Sequence, residues 1–115
     1  MRTHNACRLR IYSDDSDFIE GRPVYQWLVE QAHKRGLRGA TVMRGIMGFG
    51  GHSKIHSSKV FALAADLPVV VEIIDSRERI HDFVVDFDSL INKGMATVED
   101  VDTAYFQKGD DQSEA

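Results

Sequence analysis

The run Gly36-Leu37-Arg38-Gly39-Ala40-Thr41-Val42-Met43-Arg44-Gly45-Ile46-Met47-Gly48-Phe49-Gly50-Gly51 decides the fold. Its middle, residues 40–47, is small and apolar and reads as a strand. Glycines close it on both sides, and Gly48-Phe49-Gly50-Gly51 should end regular structure. A helical pattern precedes this strand, and a β-branched run follows it beyond residue 66. Two strands therefore succeed one another between two helices.

Working upstream, Cys7, Leu9 and Ile11 alternate with Arg8, Arg10 and Tyr12, the period of a half-buried strand over 6–13. Residues 14–21 are polar and turn-like. Pro23 suits the first turn of a helix, where its missing N–H costs nothing. Tyr25, Leu28, Val29 and Ala32 then share one stripe. Lys34 and Arg35 suit that helix's C-terminus and Gly36 its C-cap. Downstream, Leu67-Pro68 marks a boundary, and residues 69–74 predict an interior strand covered on much of both faces. Asp75 and Glu78 form a capping-box-like pair at the head of a second helix. On it Ile80, Phe83, Val84, Phe87, Leu90 and Ile91 share a face, and Gly94 ends it. Residues 95–106 read as the last strand, with Glu99, Asp100 and Asp102 toward water or at a bulge. The pattern does not decide residues 51–66.

This order predicts an α+β, ferredoxin-like βαββαβ fold, an antiparallel four-stranded sheet with two helices on one face. It forms one domain over 1–107, followed by an acidic, disordered tail over 108–115. The sheet face without helices needs cover, which at this size predicts a homo-oligomer.

The composition is ordinary for a globular domain, 43% hydrophobic and 28% charged over 115 residues. No apolar run approaches the ~20 residues of a membrane span, and the N-terminus lacks the apolar region of a secretory leader. One cysteine, Cys7, excludes an internal disulfide and a multi-cysteine zinc site and is expected in the core. Together these favour the cytoplasm. The net charge of −4 is unevenly spread. No acid occurs between Glu30 and Asp66, where Lys34, Arg35, Arg38, Arg44, Lys54 and Lys59 lie. Such a window suits a small anion or an acidic partner surface, or is a chance gap on a solvated face. The acidic balance elsewhere and the lack of a basic–aromatic stripe argue against nucleic acid.

The glycine segment is not a P-loop, because Gly51-His52 stands where Lys-Ser/Thr is required. Its backbone N–H groups, beside Arg44, Lys54 and His56, can hold a phosphate; alternatively the glycines serve only turns. His52 and His56 lie four apart without a nearby carboxylate, a poor metal site, so phosphate contact and simple loop polarity are the other readings. Glu72 interrupts an apolar strand and needs a partner, whether Arg44, a second subunit or a ligand hydroxyl. Trp27 reads as packing. No base–nucleophile pair or carboxylate dyad is legible, so no enzyme and no catalytic residue is expected.

Gly36-Leu37-Arg38-Gly39-Ala40-Thr41-Val42 resembles the G-x-x-G-x-T-V stretch opening the second strand of PII signalling proteins. Gly48-Phe49-Gly50 resembles the start of their T-loop, and Leu67-Pro68 its return. The PII-like family known as domain of unknown function 190 is closer still. Its pattern G-A-T-V-x-R-G-x-x-G-F-G, then I-H, then D-L-P-V-V-V-E, stands here at Gly39 to Gly50, Ile55-His56 and Asp66 to Glu72. The resemblance covers roughly residues 6–107.

The resemblance implies a homotrimer with clefts for an adenine nucleotide (AMP, ADP or ATP) and no other cofactor. It implies a loop over 44–66 that engages a protein partner. In this family, gene neighbourhood points to ion exporters, hence a membrane transporter. Gly39 and Thr41 would lie beside the adenine and Gly48 and Gly50 near phosphates, with Glu72 reaching the nucleoside from a neighbouring subunit. With Arg44, Phe49, Lys54 and His56 these complete the expected ligand set, with no metal. Asn92-Lys93-Gly94 replaces the family's Gly- and Lys-containing phosphate loop and the C-terminal arginines are missing, which implies weaker phosphate contacts and a mono- or diphosphate. Residues 44–66 hold no tyrosine for the modification switch of some PII proteins. The alternative is a metal- or ion-responsive trimer using His52 and His56 without nucleotide.

Overall fold

A computed structural model describes residues 2–49, 56–57, 67–88 and 95–106 of the chain. Strand β1 spans Arg2–Asp14, helix α1 Val24–Lys34, strand β2 Gly39–Arg44, strand β3 Pro68–Asp75, helix α2 Arg77–Phe87 and strand β4 Met95–Tyr105. The sheet runs β2-β3-β1-β4 and every neighbouring pair is antiparallel. This is the ferredoxin-like α+β order expected from the sequence. Two short ladders flank it, Phe18–Ile19 with Arg22–Pro23, and Met47–Gly48 with His56–Ser57.

The period of two in β1 puts Cys7, Leu9 and Ile11 on the helix side, opposite Ile73 and Val71 of β3. They pack against Val24, Trp27, Leu28 and Ala32 of α1 and Ile80 and Phe83 of α2. Each such fully buried aliphatic or aromatic side chain stabilises the fold by about 1.5–3 kcal/mol. Trp27 lies in this core as expected, its Nε1 donating to Glu20 at 3.2 Å.

Several boundaries differ from expectation. Pro23 is the N-cap of α1 rather than its first helical residue. Strand β2 ends at Arg44, because Gly45 turns onto Pro68: its N–H donates to the Pro68 carbonyl at 2.7 Å, and a Cβ there would lie 2.9 Å from Pro68 Cγ. Among the described residues, strand β3 is fully buried on one face and half-buried on the other, so only one face enters the core. Asp75 does not cap α2; Ser76 does, its hydroxyl accepting from the Arg79 N–H. Asp75 turns inward instead, 3% exposed, and accepts the Arg38 N–H at 2.9 Å. Arg79 Nη1 donates to the same carboxylate at 3.3 Å, and its Nη2 donates to the Arg35 carbonyl at 2.6 Å. One guanidinium thereby ties the end of α1 to the start of α2. Leu90, Ile91, Gly94 and the tail after 106 lie outside the described residues.

Candidate functional site

The helix-free face of the sheet is laid out in rows by the strand register. Met43, Val70, Tyr12 and Met95 form one row; Thr41, Glu72, Arg10 and Thr97 the next; Gly39, Ile74, Arg8 and Glu99 the third. Three of the expected ligand residues, Gly39, Thr41 and Glu72, therefore stand together on this face.

Glu72 finds its partner here, and it is not Arg44. Arg10 Nε donates to Glu72 Oε2 at 2.9 Å, with Arg8 Nε 3.9 Å from the same oxygen. Arg8 also pairs with Glu99 at 3.1 Å. The hydrogen bond it donates to Glu72, then that carboxylate's charge, raises the Arg10 pKa above the ordinary arginine value. Arg8 Nε is buried without a hydrogen bond. Two arginines and two glutamates thus form a charge-balanced cluster at the centre of the open face.

Arg44 points to the other side of the sheet. Its Nη2 donates to Asp15 Oδ1 at 2.9 Å, and this carboxylate raises its pKa. The acid-free stretch of sequence is therefore not unopposed in space: Asp15 meets Arg44, and Asp86 meets Arg35, whose guanidinium also lies over the Phe83 and Phe87 rings. Arg38 stacks on Tyr105 at 4.8 Å and donates to its hydroxyl.

The root of the loop is built on Pro68. Gly45 and Gly48 both approach its ring, and a Cβ on Gly48 would lie 3.3 Å from Pro68 Cγ. The short ladder sets Gly48 opposite His56, so these two candidate positions meet across one backbone pair. Phe49 projects into solvent, 69% exposed. Gly50, Lys54, His52 and Asn92-Lys93-Gly94 lie outside the described residues. Among the described residues, no group of three or more His, Cys, Asp or Glu could hold a metal ion. A cavity of about 390 Å³ lined by Asn5, Ala6, Arg77, Asp100, Val101 and Asp102 opens beside the start of α2, apart from the ligand set.

Arg10 and Asp15 carry no signal in the sequence that marks them as part of the site, whereas Pro68 stands in the family pattern. The alternation of β1 puts Arg10 on the polar face, but only the register between strands pairs it with Glu72.

The chain belongs to the family described as DUF190, Uncharacterized ACR, whose model matches residues 6–103. It is 44% identical over 105 residues to a UPF0166 protein of Aquifex aeolicus, covering 91% of this chain and 99% of that one. A UPF0166 protein of Methanocaldococcus jannaschii is 31% identical over 93 residues, 80% of this chain and 85% of that one. Among solved structures, the fold matches CPII of Thiomonas intermedia K12, a nitrogen regulatory PII-like protein bound to ADP, AMP and bicarbonate. The TM-score is 0.68 at 13% identity, over 89% of this chain and 91% of that one. A Thermus thermophilus protein described as a putative PII-like signaling protein matches with TM-score 0.66 at 17% identity, over 90% and 93%. The chain is a DUF190 protein whose ferredoxin-like fold matches that of PII-like proteins.

Proposed function

We propose that this protein is a PII-like regulator rather than an enzyme. It assembles as a homotrimer, binds an adenine nucleotide in the clefts between copies, and presents the nucleotide state to a protein partner through residues 44–66. The observation that carries the reading is the grouping of Gly39, Thr41 and Glu72 on the open face of the sheet. It lies in a fold shared with a protein solved with ADP and AMP. Thr41 supplies a hydroxyl, Gly39 leaves room for a flat ring, and Glu72 can accept from a ribose hydroxyl once Arg10 gives up one of its oxygens. The Gly48–His56 pair at the loop root would sense the phosphate end.

Isothermal calorimetry with ATP, ADP, AMP and cyclic AMP tests this. Binding of at least one nucleotide is expected, weakened tenfold or more by Thr41→Val. A ligand at 100 times its Kd adds about 2.7 kcal/mol to stability, so a thermal-shift panel reads the same result. No heat and no shift with any of the four, on folded protein, would remove the nucleotide from the proposal.

A further inference from the structure

Glu72 stands between Thr41 of β2 and Arg10 of β1 in one cross-strand row. Both arginine contacts fall on the same carboxylate oxygen. Arg10 Nε donates to Oε2 at 2.9 Å, whereas Arg8 Nε lies 3.9 Å from that oxygen, beyond hydrogen-bond reach. Among the described residues no hydrogen bond reaches Oε1. The one buried side-chain nitrogen or oxygen without a partner among them is Arg8 Nε, so Oε1 is open to solvent. Oε1 is the oxygen that both arginines give up to a ligand.

Arg8 supplies a competing pull. Its Nη2 meets Glu99 at 3.1 Å, but its Nε is enclosed and unsatisfied. A buried donor without an acceptor is costly, and a carboxylate is a strong acceptor. Arg8 stands opposite Ile74, in the next row of the open face. Closing the 3.9 Å gap to Arg8 would draw Glu72 along the strands, out of the row that holds Thr41. Arg10 opposes this, because it lies directly across from Glu72 in the Thr41 row.

We infer that Arg10 is a positioning residue that holds Glu72 in the Thr41 row with Oε1 outward, and that this sets a preference for a ribose over a deoxyribose sugar. The inference rests on the nucleotide reading above and adds the residue that decides the sugar. A carboxylate held by one oxygen presents the other at a fixed place. A sugar hydroxyl donating there makes a charge-assisted hydrogen bond. A sugar lacking that hydroxyl leaves the oxygen unpaired, and a site built to bond a hydroxyl rejects such an analogue strongly. Arg10 acts through Glu72, so it governs the sugar and leaves base and phosphate alone.

Calorimetry tests this with AMP, ADP and ATP, each beside its 2′-deoxy and 3′-deoxy counterparts. For a nucleotide that binds, one deoxy form should bind the parent chain about tenfold or more weakly, the size of a hydrogen bond to a charged group. Arg10→Met should weaken the ribonucleotide and leave that deoxy form within about threefold of its parent affinity, so the preference disappears. A merely structural role would weaken both together. Arg10→Gln should retain much of the preference, because its Nε2 stands where Arg10 Nε does along the side chain. Arg8 is at hand to take up Glu72, so Arg10→Met should fold; Arg10→Thr, suited to a strand but too short to reach Glu72, is the second variant with the same loss expected. A parent preference below about tenfold, a preference that survives in the Met or Thr variant, or equal weakening of both sugars overturns the role of Arg10 and leaves nucleotide binding standing. No binding of AMP, ADP or ATP to the folded parent chain overturns both.

Discussion

Arg38 and Tyr105 illustrate what one contact sets. The guanidinium stacks on the ring and donates to the hydroxyl, and that hydrogen bond lowers the Tyr105 pKa below the ordinary tyrosine value, with Thr103 adding to it. The folded value lies below that of the unfolded chain. Ionisation therefore adds stability as pH climbs through the folded value, fully present above about 10 and absent below the folded value. Ultraviolet titration should show Tyr105 ionising below the ordinary tyrosine range, and Arg38→Ala should raise that value toward it. Gly45 offers a steric test. An added methyl would press on the Pro68 ring, so Gly45→Ala should lower the urea midpoint by about 1–3 kcal/mol of stability. An unchanged midpoint would mean that Pro68 yields freely.

Between elements, the buried Asp75 carboxylate joins the turn after α1 to the head of α2. Asp75→Ala leaves the Arg38 N–H and the Arg79 guanidinium without their acceptor and should cost about 1–3 kcal/mol. Hydrogen exchange should speed at the Arg38 amide before it speeds at Leu9 or Val71. This junction also shows where sequence reading stops. The helices and β1 were legible because periods of two and 3.6 are local properties of Cys7-Leu9-Ile11 and Ile80-Phe83-Val84-Phe87, and β3 was legible through the β-branched run at 69–74. Asp75 and Ser76 are both good capping residues, and which of them turns inward is decided by the Arg38 amide, 37 residues away. Glu72 followed the same rule. Its need for a partner was legible, but its choice of Arg10 over Arg44 depends on register and on which face each side chain takes. Gly39 and Thr41 were legible through the family pattern, whereas the anchoring of Gly45 and Gly48 on Pro68 emerges only when the two ends of the loop are brought together.

At the scale of the whole molecule, stability leans on one modest core. Phe83 lies at its centre, edge-on to Phe87 at 4.8 Å, so Phe83→Ala should cost about 3–5 kcal/mol. Against a total of about 5–15 kcal/mol, that brings the chain near the limit of folding, read as a fall of both near- and far-ultraviolet circular dichroism on mild warming. In the proposed trimer a neighbour adds buried surface to this core, so stability should rise with protein concentration. Cys7 carries a different consequence. Its sulfur is wholly enclosed, between Asp75 and Asp100 in the strand register. A thiol-reactive dye can therefore reach it only when strands separate, and the rate of colour development becomes a clock for opening events.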